Sequence, residues 1–242
     1  MHYAIQKARN SSNIFLEFLN SKATRMFLLY SLSTLIKGIL AGVMVSLGCV
    51  AYLSTSSKYL GSALCSIGLF AVFSYGLELF TAKVGYVTVQ KSRKNVQLFP
   101  MFIGNLLGAV FSSLVLGFTQ ISDKLSERSA SLCDNILESN VWSLLILSFF
   151  GGVLIFIATD SFKNATNNAQ KYLGVFLAVM VLVLSNFEHS VADVFYLSMA
   201  DEWSILAVAY ILVITVGNAL GAVVIPLTHK AVGLIRANLH KS

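Results

Sequence analysis

The chain has 242 residues, 56% of them hydrophobic and only 12% charged, with a mean hydropathy of +0.76 and a formal net charge of +6. Soluble domains carry about twice that share of charge. Too little polar surface remains to cover a water-soluble globule, which excludes a disordered tail, a secreted disulfide scaffold and an ordinary cytosolic enzyme; lipid is the expected solvent.

A membrane-crossing helix needs about 20 mostly apolar residues. The first dozen residues are polar, so no cleavable signal peptide is expected. Ile14, Phe15, Phe18 and Leu19 recur at helical spacing beside Glu17, Asn20 and Lys22, which predicts an interfacial amphipathic helix within residues 1–28. A plain extension of the first span is the alternative. Six spans follow. They run from about Leu32 to Leu53, Leu60 to Gln90, Phe99 to Thr119, Val141 to Thr159, Tyr172 to Met199 and Ile205 to Leu227. Residues 229–242 read as a C-terminal tail, and the whole chain as a single membrane domain.

Twelve of the Lys and Arg residues fall on one side of these spans, among them Lys22, Arg93, Lys171 and Arg236. Only Lys58, Lys124 and Arg128 fall on the other. The positive-inside rule then puts both termini in the cytoplasm, in a bacterial-type inner membrane. The basic residues are scattered over short segments without a polar aromatic face, so nucleic acid is not an expected partner. Cys49, Cys65 and Cys133 show no metal spacing, and neither metal nor cofactor is expected.

The chain repeats itself. Ile103–Val110 and Val216–Val223 agree at six of eight positions, 113 residues apart. Gly42 and Gly152, and Glu78 and Glu188, are each 110 apart. Three spans per repeat force the second half to enter from the opposite side, so the expected plan is a 3+3 inverted repeat. Gly104/Gly108 and Gly217/Gly221 are small-xxx-small pairs for close helix packing. Asn105 and Asn218 are amides inside spans and need partners, for which backbone groups freed at broken helices are the candidates.

Spans two and five carry polar residues at matching places: Glu78-Leu79-Phe80-Thr81-Ala82-Lys83, and Glu188-His189-Ser190-Val191-Ala192-Asp193. Interrupted spans at corresponding positions point to a binding site. Two half-helices starting near Ala82 and Val191 would offer free N–H groups and positive dipole ends, which suit an anion. Glu78 and Glu188 are then read as braces accepting freed N–H groups, with cation ligation as the rival. His189, the sole histidine inside a span, can exchange protons near neutral pH. Lys83 is a vestibule lure for anions or, more plainly, a snorkelling residue or a partner of an acid such as Asp193.

These segments resemble the formate–nitrite transporter family over nearly the whole chain. Glu78–Thr81 is similar to the family's second-helix loop, and Phe187-Glu188-His189-Ser190-Val191-Ala192-Asp193 to its fifth-helix signature, which usually ends in Asn. The resemblance implies an aquaporin-like protomer in a homopentamer, passing small monovalent anions or their weak acids. Formate is foremost, with nitrite and hydrosulfide as alternatives. It implies an outer constriction at Leu79 and Phe80, a gating Thr81, an inner constriction at Leu69 and Leu182, and a central proton-relaying His189. Three places depart from the family: Glu138 or Ser139 stands where a lysine is usual, Ile155 where an asparagine is usual, and Lys83 where a small residue is usual. An aquaporin-type neutral-solute channel is the rival, although the Asn-Pro-Ala caps are missing. An intramembrane enzyme has no second histidine or nucleophile–base spacing to support it.

Overall fold

A computed structural model describes residues 22–89 and 97–239. The expected amphipathic segment around Ile14–Leu19 lies outside them. Among the described residues, four helices are long and apolar enough to cross a membrane: α1 (Lys22–Ser54), α4 (Leu98–Leu116), α6 (Val141–Asn164) and α9 (Ile205–Leu239). Between them lie α2 (Lys58–Ser74), the single-turn α3 (Phe80–Lys83), α5 (Ser122–Leu137), α7 (Asn168–Leu184) and α8 (Ser190–Ala200). No strand occurs among the described residues.

Sequence dictates which faces pack. On α4 the buried positions are Met101, Gly104, Asn105, Gly108, Ala109, Ser112 and Ser113, small or polar apart from Met101, whereas Leu107, Phe111 and Leu114 point outward. Lipid competes for large apolar groups as well as protein does, so contact between helices comes from close approach of small residues. A Cβ on Gly38 of α1 would come within 2.9 Å of the Met101 carbonyl. One on Gly217 of α9 would meet the Leu145 carbonyl of α6 at the same distance. Thus α1 pairs with α4 and α6 with α9, while α2 and α7 meet between the two pairs. The later part of each interrupted span crosses over: a 3-10 turn at Val84–Thr88 packs on α9, and α8 packs on α4.

The segment from residue 229 is helical to Leu239, as the last part of α9. The link before α6 contains a helix of its own. In α5, Leu125, Ser129, Cys133 and Ile136 form a buried stripe at helical spacing. Lys124 Nζ donates to the Ser54 carbonyl at 2.9 Å and Arg128 to the Thr55 carbonyl at 2.7 Å. These basic side chains thereby satisfy carbonyls at the C-terminus of α1.

Candidate functional site

Both interruptions are built from the same local geometry. After α2, Gly76 takes φ +59°, its N–H bonding to the Phe73 carbonyl at 3.2 Å and that of Leu77 to Val72 at 2.9 Å. After α7, Asn186 takes φ +52°, with Asn186 bonding to Val183 at 3.3 Å and Phe187 to Leu182 at 3.0 Å. Each is a Schellman cap, in which a left-handed residue ends the helix and satisfies its last carbonyls. Glycine and asparagine are the residues that accept this conformation at least cost.

A carboxamide from a neighbouring helix then restarts the chain. Asn105 Oδ1 accepts the Phe80 N–H at 2.8 Å, and Asn105 Nδ2 donates to the carbonyls of Glu78 at 2.8 Å and Gly38 at 2.9 Å. In the second half, Asn218 Oδ1 accepts the Ser190 N–H at 3.0 Å, and Nδ2 donates to Glu188 at 2.9 Å and Ser148 at 2.7 Å. Both amides are fully buried. Bracing at the breaks therefore runs through the asparagine side chains and the glutamate carbonyls. The Glu78 carboxylate turns instead to Lys83, with an N–O distance of 3.1 Å. Lys83 thus pairs with Glu78 rather than with Asp193.

Leu79 and His189 occupy equivalent extended positions just before α3 and α8, without a side-chain cap. The half-helices begin at Phe80 and Ser190, close to the expected starts. They are unequal: α3 has four residues before the 3-10 turn, and α8 has eleven. Val84, Gly85, Val87 and Thr88 are weak helix formers, which accounts for the early end. Only α8 is long enough to present a developed positive end.

The two breaks meet. Thr81 Oγ1 lies 2.8 Å from His189 Nε2, with Thr81 fully buried and His189 5% exposed. Against His189 opens a cavity of about 110 Å³, room for several water-sized molecules. Val45, Leu69, Ile155 and Leu182 make apolar parts of its wall, and Tyr52, Asn135, Glu188 and Asp193 supply polar ones. Of the places that depart from the family, Ile155 lines this cavity while Glu138 and Ser139 do not. Cys49 and Cys65 also line it as free thiols.

The expected constriction residues lie on the two sides of the junction. Leu69 and Leu182 share the cavity with Leu132, Asn135 and Ile136 of α5, the helix expected on the outer side. Phe80 lies towards the other end, its ring centroid 5.1 Å from that of Phe102 near the start of α4, and packed against Val84 and Phe156. Leu69 and Leu182 therefore stand on the α5 side of His189 and Phe80 on the opposite side, and which of the two rings is the outer one follows from the direction of the membrane axis. The reason for the separation is the path of the chain: α2 passes Leu69 before it reaches the break, and Phe80 comes after it. Leu79 is fully buried at the break itself. Sequence reasoning missed Asn135, Tyr52 and, as a wall residue, Asp193; its position 110 residues after Lys83 was the available signal.

An all-helical membrane protein whose broken helices enclose a polar junction beneath an apolar-walled cavity is a transport protein by class. The formate/nitrite transporter family pattern matches residues 14–231. The chain belongs to that family. Relatives include the uncharacterized transporter YrhG of Bacillus subtilis (strain 168), 24% identical over 69% of this chain and 71% of its own. The formate channel FocA of Escherichia coli (strain K12) is 24% identical over 74% of this chain and 68% of its own. Among solved structures, a pentameric formate channel with formate bound superposes with a TM-score of 0.69 at 18% identity, covering 88% of this chain and 98% of that one. An ion channel of the same family gives 0.67 at 20% identity, over 84% and 89%. Members of the family are channels, not enzymes.

Proposed function

We propose that this protein is a homopentameric channel passing small monovalent anions together with a proton, as their weak acids, with formate as its main solute. The observation that carries the reading is the Thr81–His189 contact, which joins the two breaks at the floor of the cavity. A bare anion pays a large desolvation cost between walls such as Leu69, Leu182 and Ile155. Protonation removes most of that cost. His189, hydrogen-bonded to Thr81, is placed to pass a proton at the passage between the cavity and the Phe80 side. Its tautomer sets which partner donates, so the same contact serves before and after a proton shift. The α8 N-terminus draws the anion towards this point. Six spans in two inverted trios, with both termini in the cytoplasm of an inner membrane, complete the reading, supported by the distribution of Lys and Arg.

The test is uptake of labelled formate into proteoliposomes. Uptake should rise as the external medium is made more acidic, and His189→Phe should flatten that dependence. Uptake indifferent to pH, or a wild-type profile in the variant, would refute proton coupling through His189. Competition by nitrite and hydrosulfide ranks the solutes. Rapid glycerol-driven swelling without formate uptake would instead favour a neutral-solute channel.

A further inference from the structure

The two breaks match in backbone and caps but not in charge. Five residues after Glu78 stands Lys83, and five residues after Glu188, at the equivalent place, stands Asp193. The first pair closes as an ion pair at 3.1 Å. The second places two carboxyl groups in the wall of one cavity. Asp193 is only 3% exposed, and its Oδ2 is buried without a hydrogen-bond partner. Two carboxylates sharing a site repel, and one proton held between them removes the repulsion. A proton on Asp193 also gives the unpartnered oxygen something to donate.

We propose that Glu188 and Asp193 share one proton and hand it to the weak-acid anion that enters the cavity. The O–H bond of the pair breaks as a new O–H bond forms on the anion. The neutral acid moves on past Thr81 and His189, and the pair, left with two charges, takes a proton back from hydronium in the medium at the cavity mouth, which leaves water. Among the described residues no lysine or arginine lines the cavity beside Asp193. The surrounding titratable groups are Glu188, His189 and Tyr196 beside it in the chain, Cys49 and Tyr52 on α1, Cys65 on α2 and Cys133 on α5, with Glu202 beyond the end of α8. Lys58 donates to Asn186 Oδ1 at 3.0 Å and so is already engaged. Because α3 carries the Glu78–Lys83 ion pair in place of a second acid, the proton store exists at one break only.

This step rests on the weak-acid reading above, so two measurements separate them. Infrared spectroscopy of the full-length protein in lipid nanodiscs at neutral pH should show a protonated-carboxyl band. Asp193→Asn and Glu188→Gln should each remove it and Asp193→Glu should keep it. In proteoliposomes, Asp193→Asn should slow formate uptake about tenfold or more at neutral pH. Uptake should recover at acidic pH, where the solute arrives already protonated, and Asp193→Glu should restore the neutral-pH rate. A wild type that moves formate while its band ignores Asp193→Asn overturns the shared proton alone. A wild type that moves no weak acid overturns the functional reading and the hand-over with it.

Discussion

Two asparagines do the work that unbroken helices do elsewhere with their own backbone. Each carboxamide uses one oxygen and both hydrogens on three different backbone groups. Removing the amide leaves a donor and two acceptors unsatisfied in a dry interior, at about 1–3 kcal/mol for each group that finds no other partner. Asn105→Ala and Asn218→Ala should therefore each destabilise by about 3 kcal/mol or more, read as a clear drop in the apparent melting temperature in detergent. An unchanged transition would mean that the breaks hold themselves. The Glu78–Lys83 pair is a weaker support: the two side chains are 22% and 35% exposed, and solvent-screened pairs are worth about 0–1 kcal/mol. The amides were legible in the sequence because a polar residue inside a span must be spoken for. Which atoms they would reach was not, since the Gly38 and Ser148 carbonyls come from remote helices and carry no residue-type signal. The glutamates drew attention as charges, yet it is their main-chain carbonyls that the amides hold.

At the scale of an element, the interruption is a helix terminator followed by a helix initiator. A left-handed residue is required between them, at Gly76 in one half and Asn186 in the other. Nothing lies within 4 Å of a Cβ built on Gly76, so a substitution there changes backbone strain alone. Gly76→Asn should be nearly neutral and Gly76→Val should cost about 1–2 kcal/mol. Comparing the thermal transitions of the two variants checks this; equal losses would place the cost in packing. The breaks were legible because polar residues and glycine interrupt apolar runs at two matched places. The helix α5 was not, because its low hydropathy reads as a loop when spans are being counted. Its stripe of Leu125, Ser129, Cys133 and Ile136 emerges only when the period is examined. The shortness of α3 was equally hidden, since Val84–Thr88 is apolar enough to be counted into the span.

The molecule as a whole is organised by lipid on its flanks and by charge at its ends. Large apolar side chains such as Phe111 on α4 and Leu212 on α9 are exposed where a soluble protein would carry polar ones, and the small and polar residues are turned inward. That arrangement fixes a membrane axis but not its direction, which rests on the distribution of Lys and Arg. Single cysteines test the direction. Ser131 is exposed on α5 and Ala231 on the last part of α9. In intact cells an impermeant maleimide should label Ser131→Cys, and should label Ala231→Cys only after permeabilisation. The native thiols leave this readable, since Cys49 and Cys133 are buried and Cys65 is partly so. Burial, followed by the nearby charges of Asp193, Glu202, Asp134 and Glu188, pushes the Cys133 thiol up to about 12. The thiolate is the reactive form, so native Cys133 should stay unreactive at neutral pH and gain reactivity only as the medium becomes strongly alkaline. Labelling of Ala231→Cys from outside, with Ser131→Cys protected, would turn the protein over in the membrane. The α5 side of the cavity, with Glu188 and Asp193, would then face the cytoplasm.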